Sequence, residues 1–423
     1  MTGLRMPLLL RMWLLCTRLL SYPITVVSKV MHRRMGAHPD RFGERLGKAG
    51  LAKHGKVLWI HAASLGEVAQ IGPLAYRLSS SENTTILITT TTQAGADWVK
   101  RELPDVVHQF VPVDTPSAVA AFLDTWDISV AIFVEGDLWP RLVLKCRDRG
   151  IPRVLLNARH SRTRERFPRV FATLLFDFSL ITCRSDKVAA AVRDLGVPGE
   201  SIKVLADLRT ATAKIKHSPE LIEEMSNRIG KRPSWLAAST HSADEAAVLS
   251  AHKQVLAEHP DALLILAPRH PKRAEPLLAA AAAHGLSIAR RSTDDALTAE
   301  SQIYLADTLG ELGTFYALAP IAFIGGSLGE EGGHNPYEPA SFGTAILSGP
   351  KVKNFEHAFA ALSDAGAAEL LDSADTLGAR LVALIHSTKA KDMGDAGRSF
   401  MQASEDSMST TVDLVRAILQ KNR

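Results

Sequence analysis

Short apolar segments alternate with helical segments along most of this chain, and that alternation limits the possible folds more than any other feature. After Lys56 the stretches VLWIHAA, TTILITTT, ISVAIFVE, RVLLNAR, SLITCR and SIKVLA each read as a buried strand. A second series begins near Trp235 with WLAAST, ALLILAPRH, IYLAD, IAFIGGS and AILSGP, separated by helical stretches such as DEAAVLSAHKQVLAEHP. Strands that are apolar on both faces and regularly separated by helices belong to parallel α/β sheets. The polar stretch between the series, TATAKIKHSPELIEEMSNRIGKRPS, contains Pro219 and Pro233 and reads as a linker. The expected fold is α/β, with two Rossmann-like lobes facing a cleft and ligands at the carboxyl ends of the strands. The expected divisions are a membrane-anchoring segment over 1–35, an N-terminal lobe over 36–215 and a C-terminal lobe over 216–423.

A length of 423 residues agrees with two cores, and 46% hydrophobic with 22% charged residues describes an ordinary globular chain. Cys16, Cys146 and Cys183 lie far apart and without metal-ligand spacing, so neither a disulfide framework nor a zinc cluster is expected. A net charge of +4, with basic residues not interleaved with aromatics, gives no support to nucleic-acid binding.

The amino-terminal stretch MTGLRMPLLLRMWLLCTRLLSYPITVVSKV is strongly apolar but carries Arg5, Arg11 and Arg18 at nearly heptad spacing. On a helix these line one stripe, with Leu8, Leu9, Trp13, Leu15 and Leu19 on the other faces, the pattern of an interfacial membrane helix. The basic SKVMHRRMGAHPDRFGERLG that follows suits the anionic cytoplasmic surface of a membrane. A helix of the same pattern packed on the protein's own core is the alternative.

Two segments carry chemistry. In WIHAASLGEV an apolar strand runs through small residues into a helix start bearing Glu67, which is either a base or a charge complementing the helix dipole. In IAFIGGSLGEEGGHNPYEPASFGTAILSGP a strand ends in a glycine loop followed by Asn335, Pro336, Tyr337 and Glu338. Glycines admit a ligand close to the backbone, and Glu338 can accept the hydroxyl hydrogens of a ribose or hold the turn. The substring Gly325 to Gly329 also matches G-x-S-x-G, which would make Ser327 a hydrolase nucleophile. Gly329, Gly332, Gly333 and Pro336 make a poor helix start after it, which favours a nucleotide loop.

Taken in order, RFGERLG, HAASLGEV, FVEGDLWPRL, NARHSRTRERF, AASTHSADE, LAPRHPKR, LADTLGEL and GGHNPYEPASFG span nearly the whole chain. With these motifs the sequence resembles the 3-deoxy-D-manno-octulosonic acid (Kdo) transferases of lipopolysaccharide synthesis, glycosyltransferases of the GT-B fold. The resemblance implies transfer of Kdo from CMP-Kdo to a lipid A precursor (lipid IVA) at the cytoplasmic face of the inner membrane. It implies Glu67 as general base, with Glu135 and Arg209 stabilising the transition state. It also assigns Pro268, Arg269, Gly310, Glu311, Leu312, Asn335, Pro336, Tyr337 and Glu338 to CMP. No D-x-D metal motif stands in the relevant place, and no cofactor beyond the donor is expected. Two positions depart from the family pattern: EGDLWP replaces E-T-E-L-W-P, and Arg209 stands where lysine is usual. Another GT-B nucleotide-sugar transferase, or a non-catalytic CMP- or lipid-binding paralogue, is the alternative reading.

Overall fold

The computed structural model describes residues 6–48, 55–79, 85–213, 215–385 and 387–421, so Arg5 lies outside the described residues. The chain divides into two compact units, Met1–Thr212 with Ser404–Arg423, and Ala213–Ala403.

Among the described residues the first unit holds seven parallel strands: β1 (Val57–His61), β2 (Thr85–Thr90), β3 (Val107–Phe110), β4 (Ile128–Val134), β5 (Arg153–Ala158), β6 (Leu180–Cys183) and β7 (Ile202–Val204). Their order is β3-β2-β1-β4-β5-β6-β7. Side chains alternate across the sheet with period two. Leu58 and Ile60 enter one core with Val68 and Ile71 of the helix Leu65–Ser79, and Val57 and Trp59 enter the opposite core with Phe122 and Phe133. Strand order reverses between β1 and β4, so the connections leave their carboxyl ends in opposite directions and open a crevice there.

The second unit repeats the plan with β8 (Ser234–Thr240), β9 (Leu263–Pro268), β10 (Ile288–Arg290), β11 (Ile303–Leu305), β12 (Ile321–Ile324), β13 (Ala345–Ser348) and β14 (Ala368–Leu370). The order is β10-β11-β9-β8-β12-β13-β14, with the switch between β8 and β12. Here too the central strand feeds two cores, Trp235 and Ala237 on one face, Leu236 and Ala238 on the other.

Two stretches depart from the sequence reading. The stretch read as a linker contains the helix Pro219–Ile229, in which Ser218 caps the backbone N–H of Leu221 and Pro219 takes the first helical position. Its Leu221, Met225 and Ile229 pack into the core of the second unit at helical spacing. The final stretch, read as part of the C-terminal lobe, is the other. Within the helix Lys389–Lys421, residues from Ser404 onward belong to the first unit, where Met408, Val412, Val415 and Leu419 join the core around Leu58 and Ile60.

At the amino terminus the expected single helix is two, Leu8–Leu19 and Ser21–Arg34, bent by 81°. Pro23 sits in the first turn of the second, where a missing N–H is tolerated. Among the described residues no single helix is long and apolar enough to cross a membrane, and these two meet that test only as a bent pair. One side of the first helix docks on the unit. Leu10 is buried, Trp13 Nε1 donates to Asp114 Oδ2 (2.7 Å), and the Arg141 guanidinium donates to Leu14 O (2.5 Å) and Thr17 Oγ1 (2.7 Å). The other side exposes Leu8, Leu9, Met12, Leu15 and Leu19.

Candidate active site

In the first unit, a cavity of about 630 Å³ at the carboxyl ends of β1 and β4 is lined by Glu67 and Glu135, together with Asp137, Arg159, Arg162 and Arg164. Glu67 is placed by the turn after β1. Its Oε2 accepts the Ala63 N–H (2.7 Å), while its own N–H donates to Ser64 Oγ (3.3 Å). Burial lifts its carboxyl above the ordinary range; the Ala63 hydrogen bond opposes this, and the nearby charge of Glu135 adds to it. The helix dipole alone would have depressed it. Such an environment makes a half-buried carboxylate a better proton acceptor than one free in water.

Glu135 follows β4 directly and has a left-handed backbone (φ 59°), an uncommon state for a non-glycine residue. Its Oε1 accepts from Gln70 Nε2 (3.1 Å) and the Arg184 guanidinium, and its Oε2 pairs with Arg159 Nε (3.0 Å). Arg184 also reaches Asp207 (3.4 Å), which holds Arg209 through Nε (2.9 Å) and Nη2 (2.6 Å). Asn157, likewise left-handed at φ 60°, donates through Nδ2 to Gln70 Oε1 (2.8 Å) and Asp207 Oδ1 (3.0 Å). Glu135, Arg184, Asp207 and Arg209 thus form a chain of alternating charge braced by two buried amides. Arg209 is tied to Glu135 through this chain and is not in the cavity lining.

The unusual EGDLWP segment has a local explanation. Gly136 takes φ +148°, a region other residues rarely adopt, and Asp137 Oδ2 lies 3.1 Å from Nε2 of the fully buried His61. Burial would raise the Asp137 carboxyl, but the hydrogen bond and charge of His61 outweigh it and leave the group below the ordinary range.

In the second unit the polar groups gather after β8, β9 and β12. Asp244, fully buried in the first turn of the helix Ser242–Glu258, accepts the backbone N–H groups of His241 (2.9 Å), Gly326 (2.7 Å) and Leu328 (3.1 Å). One carboxylate therefore fixes the glycine loop against the helix start. Gly325 has no room for a side chain, since a Cβ there would lie 2.7 Å from Ser239 O. Ser327 is fully buried, donating to Ile324 O (2.7 Å) and accepting from Gly349 N (2.9 Å), so it is a structural hydroxyl.

His334 Nε2 lies 2.9 Å from His241 Nε2, and burial followed by the charges of His241 and Arg269 pushes its pKa down to about 4. Arg269, just beyond Pro268 at the end of β9, donates its N–H to Thr240 O (3.0 Å) and leaves its side chain exposed. Burial raises Glu338, against the opposing hydrogen bond from Asn335 Nδ2 (3.3 Å) and the charge of Arg269. Asn335 Oδ1 also accepts the Tyr337 N–H (3.1 Å), so Pro336 sits inside a closed turn. Glu311 lies between Gly310 (φ +86°) and Leu312, the start of a short helix, and is clamped by Arg291 (2.8 and 3.1 Å) and Thr308. Among the described residues, no group of three or more His, Cys, Asp or Glu side chains is placed to hold a metal ion.

The sequence reading passed over Arg164, Arg184, Asp207, Gln70, Asn157 and Asp244. Arg164 and Asp244 stand in motifs singled out above, NARHSRTRERF and AASTHSADE, but spacing along the chain does not tell which arginine turns inward or which acid receives three amides.

Two doubly wound units, one with paired carboxylates and the other with a glycine-loop site at the switch point, have the architecture of the GT-B fold. The same architecture is seen in the crystal structure of Acinetobacter baumannii MurG, which matches with a TM-score of 0.55 at 14% identity over 86% of this chain and 100% of that one. Residues 40–212 match the family model described as 3-deoxy-D-manno-octulosonic-acid transferase (kdotransferase). A 3-deoxy-D-manno-octulosonic acid transferase of Haemophilus influenzae is 32% identical over 90% of this chain and 92% of its own length, and one of Rickettsia felis is 32% identical over 76% and 70%. The chain belongs to the family of 3-deoxy-D-manno-octulosonic acid transferases.

Proposed function

We propose that the protein transfers Kdo from CMP-Kdo to the lipid A precursor lipid IVA, by metal-independent inverting displacement at the cytoplasmic face of the inner membrane. The observation that carries this reading is Glu67, a half-buried carboxylate raised by its surroundings and sharing a cavity with Glu135. A sugar hydroxyl is a weak nucleophile at neutral pH. Glu67 removes its proton as the oxygen forms a bond to the anomeric carbon. The bond from that carbon to the CMP phosphate breaks on the opposite face, and the electron pair leaves with CMP, so a single displacement inverts the centre.

Glu135 stabilises positive charge developing on the anomeric carbon, and Arg209 acts through Asp207 and Arg184 to hold Glu135 in place. The first unit takes the acceptor and the second takes CMP. Arg269 meets the phosphate, while the turns at Gly310 to Leu312 and Asn335 to Glu338 meet the nucleoside. The exposed apolar side of Leu8–Leu19 and the basic end of Ser21–Arg34 suit an anionic membrane surface, where a lipid acceptor resides.

Purified protein supplied with freshly generated CMP-Kdo and lipid IVA in the presence of a chelator should yield Kdo-modified lipid and CMP. CMP binding with no Kdo on any lipid would overturn the activity, and loss of turnover on chelation would overturn its metal independence.

A further inference from the structure

Arg164 is a buried cation without an anion. It sits in the short helix Arg162–Arg166, is 5% exposed and lines the cavity that contains Glu67 and Glu135. Its Nη2 lies beside Gly136, where a Cβ would be 3.6 Å away. Among the described residues no hydrogen bond or ion pair engages the guanidinium, and Nε is fully shielded without a partner.

The neighbouring acids are committed elsewhere. Glu67 accepts from Ala63, Glu135 is held by Gln70, Arg184 and Arg159, and Asp137 is held by His61. Cys183 is the one group whose charge would favour Arg164, but burial pushes its thiol up to about 11, so it stays neutral at physiological pH. Burial without a counter-charge lowers the Arg164 pKa.

A desolvated guanidinium lacking a partner is unfavourable unless a ligand supplies the missing charge. Its planar fork matches two oxygens of a carboxylate or a phosphate. We propose that Arg164 is the anion-binding residue of the cavity, receiving an oxyanion of a substrate while that substrate reacts beside Glu67. This rests on the glycosyl-transfer reading. The two sources sharing this chemistry are the carboxylate of the transferred sugar acid and a phosphate on the acceptor.

The test uses the full chain, with Arg164→Met and Arg164→Lys. Thermal unfolding is followed with and without inorganic phosphate, and KM is measured for each substrate with the other saturating. An unliganded Arg164→Met protein should melt at or above the wild-type temperature, because an uncompensated charge has gone. It should also lose the stabilisation that phosphate gives the wild type, and Arg164→Lys should recover part of it. KM should rise roughly 30-fold or more for whichever substrate carries the anion, which separates donor carboxylate from acceptor phosphate. A lower melting temperature for Arg164→Met with an unchanged phosphate response would show a structural arginine and overturn the proposal, as would unchanged KM for both substrates. Should Arg164→Met not fold, an Arg164→Lys protein responding to phosphate as the wild type does and keeping both KM values would overturn it equally. The phosphate measurement needs no turnover, so its failure is distinct from failure of the transfer reaction.

Discussion

Replacing Asp244 with alanine removes one carboxylate and strands three backbone donors at once. Each hydrogen bond to a charged acceptor contributes about 1.5–3 kcal/mol, and a stranded buried donor loses most of that. The three bonds are not equal in exposure: Gly326 is buried, while His241 and Leu328 are partly open to water and recover some hydration. The expected loss for Asp244→Ala is therefore about 3–4 kcal/mol, below the simple sum of three. Asp244→Asn keeps an acceptor where Oδ2 serves His241 and Gly326, but turns an NH2 toward the Leu328 N–H; about 1–2 kcal/mol should be lost. Urea unfolding read by hydrogen exchange across β8 reports the second unit by itself, and, on the proposed assignment of CMP to this unit, CMP titration reports the glycine loop. CMP affinity should fall in the same order, alanine more than asparagine. A loss under about 1 kcal/mol for Asp244→Ala, or equal losses for both variants, would refute the view that this carboxylate organises the loop.

Four further outcomes are expected. Glu67→Gln should keep CMP binding and lose transfer by about two to four orders of magnitude, measured by release of CMP under single-turnover conditions. In the wild type the acid limb of kcat/KM should fall above the ordinary carboxylate range, because the folded protein raises Glu67 and the base works only when ionised. The same shift means the folded state holds that proton more tightly, a stabilisation present at low pH and lost as pH rises through the raised pKa, so Glu67→Gln should melt no lower than the wild type at neutral pH. Leu15→Glu with Leu19→Glu should weaken sedimentation with anionic vesicles while leaving the melting temperature within about 2 °C, since both side chains are already exposed.

Much of the fold was legible because uninterrupted apolar runs survive in the long central strands such as β1, β4, β8 and β9. The missed strands are β3, β10 and β14, at or near sheet edges. VHQF, IAR and AEL are too short to show a period and are less apolar than the central strands. Proline misled the reading at Pro219, where it starts a helix instead of marking a linker. For the site, Glu67 stood out as an acid at a strand-to-helix turn and Glu135 came from the family resemblance; parallel topology places both at one end of the sheet.

The sequence by itself determined two parallel sheets, because buried strands and strand-to-helix turns are written in local composition, and its ordered motifs carried the resemblance to the family. Tertiary structure alone decided that Arg184 and Asp207 link Glu135 to Arg209, that Asp244 gathers three amides and that Arg164 is buried with no counter-charge. It also decided that the last turns of the chain join the first unit. These facts depend on residues distant in sequence meeting at one depth of solvent exclusion, and both the pairing of charges and its free energy are set by that depth.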